Sequence, residues 1–247
     1  MSAATGFIAA FARNDLRTIR RDSLLVTVVL GPFLYAAALW FLPAITDYVV
    51  RAYAFDLLPY RSAIVSAFCV LGPPLLLGAV LALQLLDERD QNTLAALRVT
   101  PVPPRTYPAY RAGVAIALTT FSVLASLAIS GQVDARTLVL SVPIALMAGL
   151  LAPVLGFTMS SLGRNKIEAL AVMRVIGLAV FTVPMIPFFI LDSPLQLAFG
   201  VLPPYWAVRA FWSAYAGGAY WPYVAVGLLY NAAIALLLLR VATRRLR

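Results

Sequence analysis

Six long apolar runs constrain the fold of this chain more than any other feature of its sequence. An α-helix needs about 20 apolar residues to cross about 30 Å of hydrocarbon, and each run is close to that length. Backbone groups in lipid must be hydrogen-bonded internally, and the alternating pattern of a membrane barrel is absent, so the runs are predicted to be helical. The predicted spans cover residues 23–46, 61–86, 107–130, 137–161, 168–191 and 221–240.

The composition agrees with a membrane location for most of the chain. Apolar residues form 62% of the 247 residues and charged residues 12%, against about 45–50% and about 25% in soluble domains. The longest connection between runs, residues 192–220, is too short for a soluble catalytic module. We therefore predict an all-α membrane protein with one domain over residues 1–247. The first run exceeds a signal-peptide core and lacks a small-residue cleavage site, so it is expected to stay as an anchor.

The basic residues predict which side of the membrane each connection faces. Of the 19 basic residues, 15 lie in the termini and connections of one side. Positive charge in short connections marks the cytoplasmic side, so both termini and residues 87–104 are predicted to be cytoplasmic. The formal charge of +9 then reflects topology and contact with anionic lipids. Nucleic acid is not expected as a partner, because the charge is spread over four connections and forms no single basic face.

Two further segments are predicted to lie at the membrane surface. Residues 1–22 separate an apolar helical face from a basic face, which is typical of an interfacial elbow helix. Residues 192–220 are rich in aromatic side chains, which favour the head-group layer. We expect one or two short outer-leaflet helices there, broken at Pro203 and Pro204. The alternative to a functional role is that the segment serves only as an aromatic anchor, with no role in substrate binding.

The missing residue types exclude most chemistry from this chain. There is no histidine, and the one cysteine, Cys69, lies inside an apolar run. All ten acidic residues lie in connections or at run ends, so neither an aspartyl intramembrane protease nor a proton relay is expected. No G-x-x-x-x-G-K-[ST] phosphate loop is present either. We therefore expect no catalytic residue, no metal site and no cofactor in this chain, and no enzyme activity of its own.

The polar segment 87–104 indicates an outside partner. Four charged residues open it, Leu94 and Leu97 lie three apart, and Pro101 ends it. Asp90 or Asn92 can cap a short helix, and its apolar stripe could fill a groove on another protein. An ordinary interfacial helix is the alternative. The residues that carry the pattern are Glu88, Arg89, Thr93, Leu94, Leu97, Thr100 and Pro101.

That pattern resembles the cytoplasmic signature of ABC-2 type permeases, the membrane subunits of ATP-binding-cassette exporters. Asn92 departs from it, because glycine is usual there. The six spans, cytoplasmic termini, elbow helix and short outer helices also resemble the plan of that family. In size and in lacking a large outer domain, the chain is similar to the family's small drug-exporter permeases, a group that includes the mycobacterial fluoroquinolone exporter.

The resemblance implies two partners in a bacterial cytoplasmic membrane. One is a separate ATPase subunit that binds ATP and Mg²⁺, and the other is a second permease, identical or not. A drug, lipid or natural product would be exported. The loop 163–168 would form a second, smaller contact. The implied docking contacts are Glu88, Thr93, Leu94, Leu97, Thr100 and Pro101 on a coupling helix, with Arg13 and Arg17 on the elbow helix.

Evidence on the cargo is sparse. No charge is predicted near the bilayer midplane, which favours a hydrophobic or amphipathic cargo. Arg174 lies about 10 Å inside the fifth run, at about 1.5 Å per residue. It is expected to extend to the surface, with contact to an anionic cargo or lipid as the alternative. Candidates for cavity or lipid contact are Tyr35, Trp40, Arg174, Phe181 and Phe188.

Two other functional classes stay open at this point. A substrate-capture subunit of an energy-coupling vitamin importer also has about six spans, but it would lack the docking helix and bind its ligand tightly alone. A passive channel or scaffold would work without any ATPase.

Overall fold

The computed structural model describes residues 23–90, 106–163 and 166–245. All regular structure in these ranges is helical, and six of the helices are long and apolar enough to cross a membrane. The prediction of an all-helical chain with six candidate spans is therefore confirmed. Spans 1 to 6 are Val26–Tyr53, Leu58–Arg89, Tyr107–Ser130, Ala135–Leu162, Ile167–Ile190 and Trp221–Ala242.

Span 1 changes helix type in its middle. An α-helix, Ser23–Ala38, leads into a 3-10 turn, Leu39–Phe41, and a second α-helix, Leu42–Tyr53. Pro43 lies in the first turn of that second helix. Its ring would clash with the carbonyl group four residues earlier in a continuous α-helix, which explains the change at this point. The second helix ends at Ala54, whose φ of 53° is left-handed.

Span 2 contains a π-helical turn. A 3-10 turn, Leu58–Tyr60, and a short α-helix, Arg61–Val65, precede the π-helical Ser66–Leu71. The turn has a local cause, because Pro73 and Pro74 follow it and have no N–H to donate to the preceding turn. The Gly72 N–H donates to the Ala67 carbonyl, five residues back. The α-helix then resumes over Gly72–Asp90.

Span 4 lies at the centre of the bundle. The span 3 helix, Thr106–Ser130, and the span 4 helix, Ala135–Leu162, pack side by side, and span 4 also packs on spans 2, 5 and 6. Small residues permit this close packing. A Cβ atom built on Gly156 would lie 2.9 Å from the Gly78 carbonyl oxygen of span 2.

The last third of the chain alternates helix types. Span 5 is α-helical over Lys166–Thr182 and then 3-10 helical over Val183–Ile190, where Pro184 and Pro187 interrupt α-helical bonding. A further 3-10 segment, Pro194–Val201, and an α-helix, Pro203–Tyr215, precede the final helix, Trp221–Arg245.

The Pro203–Tyr215 helix is embedded in the bundle. It packs against spans 2, 4 and 6, and the side chains of Tyr205, Phe211 and Trp212 are buried. The Trp212 indole donates to Ser66 Oγ at 2.8 Å, within the π-helical turn of span 2. Three of the aromatic residues predicted at the head-group layer therefore point into the protein.

Candidate functional site

The predicted docking segment lies mostly outside the described residues. Glu88 belongs to the last turns of the span 2 helix, and the span 3 helix begins at Thr106. The structure therefore defines the two helix ends between which the segment runs. Predicted docking residues outside the described ranges are Arg13, Arg17, Thr93, Leu94, Leu97, Thr100 and Pro101.

Glu88 and Arg111 form an ion pair between those two helix ends. The Nη2 group of Arg111 donates to Glu88 Oε1, and the side chains of Arg111 and Glu88 are only 8% and 12% exposed. Arg111 Nε donates to the Tyr107 hydroxyl at 2.8 Å, and Nη1 donates to Gln84 Oε1 at 3.3 Å. Arg111 therefore pairs with an acidic residue of span 2 and does not extend to the surface.

Helical spacing places these four side chains together. Gln84 and Glu88 are four residues apart on span 2, and Tyr107 and Arg111 are four apart on span 3, so each pair shares one helix face. A buried charge needs a partner and further hydrogen bonds, and Arg111 has both here. The pair joins spans 2 and 3 at the point where the predicted docking segment begins and ends. Direct contact of Glu88 with an ATPase stays a prediction.

Three aromatic rings from three spans form a continuous row. Tyr35 of span 1 and Phe68 of span 2 have ring centroids 5.7 Å apart, and Phe68 and Phe181 of span 5 have centroids 6.2 Å apart. Tyr35 and Phe68 are 37% and 39% exposed, and Phe181 is half-buried. We call these three residues the aromatic row. It offers a partly open apolar surface with ring faces and edges.

Phe188 and Trp40 lie apart from this row. Phe188 makes an edge contact with Trp212 at 5.1 Å between centroids and also contacts Tyr60 and Phe189. Trp40 is 66% exposed, and its indole donates to the Ile129 carbonyl of span 3. Both residues therefore make structural contacts between spans.

Arg174 is exposed on the surface of span 5. Within the described part of the chain it makes no hydrogen bond or ion pair. It lies seven residues after Ile167, the first residue of the span, so its Cα is about 10 Å along the helix. The structure thus leaves Arg174 exposed on the surface of span 5, and its contact with lipid or cargo stays a prediction.

Gln132 connects four elements at the opposite end of the bundle from Glu88. Its Oε1 accepts from Arg61 Nε at 2.9 Å, and its Nε2 donates to the Leu39 carbonyl at 2.8 Å. The Tyr215 hydroxyl donates to the Gln132 carbonyl at 3.3 Å. Neither Gln132 nor Phe68 was predicted from the sequence. An isolated glutamine between two apolar runs was the available signal for Gln132.

Arg209 makes contacts with three side chains at the end of the bundle that contains Gln132. Its Nε donates to Gln196 Oε1 at 2.7 Å, its Nη1 donates to Ser213 Oγ at 2.5 Å, and its guanidinium lies 4.3 Å from the centre of the Tyr223 ring. Burial raises the pKa of the neighbouring Tyr205 hydroxyl, which therefore stays neutral. These contacts hold the Pro203–Tyr215 helix in place. No cluster of three or more metal-binding side chains occurs in the described ranges.

Comparison with known proteins gives a consistent picture. Residues 15–239 match the model of a family described as fluoroquinolones export permease protein Rv2686c-like. The fluoroquinolones export permease proteins Rv2686c and MT2760, from Mycobacterium tuberculosis strains H37Rv and CDC 1551, are each 42% identical to the chain over 234 residues. The match covers 94% of this chain and 92% of each relative. No solved structure matches significantly.

Proposed function

The chain belongs to the family of Rv2686c-like fluoroquinolones export permease proteins, and from this we propose that it is the membrane subunit of an ABC-2 type exporter. In this proposal it moves a hydrophobic or amphipathic molecule outward across the bacterial cytoplasmic membrane. Membership of the family is the observation that carries the proposal, and it favours export over the vitamin-importer and passive-channel alternatives.

The energy comes from a separate ATPase subunit in this proposal. The 247 residues contain no phosphate-loop motif, and we therefore assign hydrolysis to another chain. The docking segment runs between the helix that ends at Asp90 and the helix that begins at Thr106. Because Glu88 and Arg111 join these two helices, a displacement of the segment would move spans 2 and 3 together.

The end of the bundle that contains Glu88 faces the cytoplasm in this arrangement. The excess of basic residues in the connections on that side supports this orientation. Gln132 and Tyr215 then lie on the outer side. Spans 1, 5 and 6 leave most of their apolar surface exposed, which leaves room for the second permease subunit of the complex.

We assign the aromatic row, Tyr35, Phe68 and Phe181, as the surface that the cargo contacts. The rings come from three different spans and are partly exposed, so relative movement of the spans would change their spacing. Aromatic rings favour offset or edge contacts with other planar rings. A planar, amphipathic drug such as a fluoroquinolone, which the relatives' names specify, fits this surface.

Co-purification with the ATPase subunit tests the docking arrangement. Leu94→Asp and Leu97→Asp each place a charge where an apolar side chain would enter a groove, so we expect loss of the complex. Ala95→Asp adds the same charge away from the predicted stripe and serves as the matched control. Complex formation that is unchanged in both leucine variants would contradict the docking role of this segment.

Transport in inverted membrane vesicles tests the overall function. Vesicles that contain the permease and its ATPase should accumulate a fluorescent fluoroquinolone when ATP is added, and a non-hydrolysable ATP analogue should give no accumulation. Equal uptake without any ATPase subunit would favour a passive channel over the proposed exporter.

A further inference from the structure

A polar cavity opens at the end of the bundle that contains Gln132. Its volume is about 500 Å³, within the range of small-molecule sites. Four parts of the chain line it: the start of span 2, the connection between spans 3 and 4, the start of span 4, and the end of the Pro203–Tyr215 helix. The residues that matter for its chemistry are Arg61, Gln132, Asp134, Arg136 and Tyr215.

The guanidinium of Arg61 is held in place from one side. Its Nε donates to Gln132 Oε1 at 2.9 Å, and Gln132, itself only 5% exposed, is fixed by its bond to the Leu39 carbonyl. The terminal nitrogens of Arg61 make no hydrogen bond with any residue that the structure describes. Arg61 therefore presents two parallel N–H donors from a fixed position, the arrangement that suits the two oxygens of a carboxylate or phosphate.

The charge of the cavity also favours an anion. Arg61, Arg136 and Asp134 are the charged residues that line it. The Asp134 carboxylate accepts from the Thr137 N–H at 3.0 Å and so caps the span 4 helix. Hydrogen bonding to the Thr137 side chain, and then to its backbone N–H, holds the pKa of Asp134 below its usual value, so the carboxylate is ionised at neutral pH and offsets one of the two arginines. The three charged lining residues therefore carry a net charge of +1.

We propose that this cavity binds an oxyanion, a carboxylate or a phosphate, on Arg61, with Arg136 as a weaker second contact. The cavity lies at the ends of the spans, where both a lipid head group and a dissolved anion have access. Anion binding here requires only the cavity, the Arg61–Gln132 contact and the lining charges, whatever the energy source or the direction of transport.

Two binding measurements on the purified full-length protein separate the possible sources of the anion. For a dissolved anion, saturation-transfer NMR records the binding of benzoate or phenyl phosphate to the protein in nanodiscs of phosphatidylcholine. For a lipid, native mass spectrometry counts the phosphatidylglycerol retained after extraction from vesicles of equal phosphatidylglycerol and phosphatidylcholine content. Binding in either measurement supports the site and identifies its source, and no binding in both overturns the proposal.

Variants of Arg61 test whether the cavity is responsible. Arg61→Gln should weaken binding roughly tenfold or more, because a charge-assisted pair of hydrogen bonds is lost. Arg61→Lys should be intermediate, since it keeps the charge and loses the two parallel donors. Arg51→Gln is the matched control, because Arg51 is an exposed arginine in the last turn of the span 1 helix and does not line the cavity.

Equal binding by wild type and Arg61→Gln, or an equal loss in Arg51→Gln, would overturn the assignment. If Arg61→Gln does not fold, Arg136→Gln decides the matter in the same two measurements. Its side chain is exposed and makes no hydrogen bond with the described residues. A measurable loss of binding in that variant supports the cavity, and unchanged binding rejects it.

Discussion

Arg111 of span 3 and Glu88 of span 2 are bound to each other in a nearly buried ion pair, although they lie 23 residues apart in sequence. The segment between them includes the predicted docking residues Thr93, Leu94, Leu97, Thr100 and Pro101. The pair therefore closes a loop at the base of the bundle and fixes the distance between the two helices that carry this loop. This gives the ion pair a structural role that can be measured without any knowledge of the cargo.

Breaking the pair from one side should destabilise the protein strongly. Arg111→Met leaves the Glu88 carboxylate buried without its cation, which we expect to lower the free energy of unfolding by about 3 kcal/mol. The double variant Glu88→Leu with Arg111→Met removes both charges and should recover much of that loss. Thermal unfolding in detergent measures both effects.

The control for this experiment is Arg89→Met. Arg89 follows Glu88 directly and is exposed, so its loss should change stability by less than about 0.5 kcal/mol. A double variant that is no more stable than Arg111→Met alone would show that the ion pair is not the source of the loss.

The contact between Gly156 and Gly78 predicts a steep effect of a single methyl group. Gly156→Ala brings its Cβ atom within 2.9 Å of a backbone oxygen of span 2, so the two helices must separate at a cost of about 1–3 kcal/mol. Gly113→Ala on span 3 is the matched control, since a Cβ atom there meets no atom within 4 Å. It should be neutral or stabilising by up to about 1 kcal/mol. Equal unfolding temperatures for the two variants would show that spans 2 and 4 pack less closely than described.

Phe68 is the central ring of the aromatic row, so its removal should affect cargo directly. Phe68→Ala is expected to raise the concentration of fluoroquinolone needed for half-maximal transport by roughly three- to tenfold, because aromatic contacts contribute about 0.5–1.5 kcal/mol beyond area burial. Phe68→Trp should retain most of the activity.

Phe121→Ala provides the comparison for Phe68→Ala. Phe121 is 65% exposed on span 3 and has no ring contact with the aromatic row. A similar change in transport for both variants, at unchanged protein level, would argue against cargo contact at Phe68.

The Asp134 cap predicts a pH-dependent contribution to stability. The pKa of Asp134 in the folded protein lies below the usual value of an aspartate, chiefly because of its hydrogen bonds to Thr137. A group whose pKa is lowered by folding stabilises the fold above its unfolded pKa and loses this effect as the pH falls through the folded value. Wild type should therefore be more stable than Asp134→Ala above about pH 4, and the difference should shrink below that pH. Thermal unfolding of both proteins between pH 3 and 7 checks this, and a difference that is constant over the range would contradict it.

The sequence predicted the parts of this molecule that depend on local composition. The six apolar runs give the helices, because lipid leaves the backbone no other way to satisfy its hydrogen bonds. The four-residue spacing in Gln84–Glu88 and Tyr107–Arg111 also puts each pair on one helix face. The sequence therefore allows Glu88 to be predicted as a partner for Arg111.

Other features depend on long-range packing and were not predictable in this way. The direction in which Phe68 points depends on the π-helical turn Ser66–Leu71, which breaks the 3.6-residue period that a face assignment needs. Arg61 and Gln132 are in contact although they lie 71 residues apart in sequence. Predicting this contact would require the positions of spans 2 and 3 along the bundle axis relative to each other. Hydropathy predicted that span 1 ends at Thr46. In the structure the helix continues to Tyr53 and ends because the next residue, Ala54, has a left-handed backbone conformation.

The 3-10 helical end of span 5 affects the thickness of the hydrocarbon layer that this span can cross. Residues in a 3-10 helix advance about 2.0 Å each, against about 1.5 Å in an α-helix. The eight residues Val183–Ile190 therefore make span 5 about 4 Å longer than an unbroken α-helix of equal residue number. Span 5 can therefore cross a correspondingly thicker hydrocarbon layer before the bilayer has to thin around it.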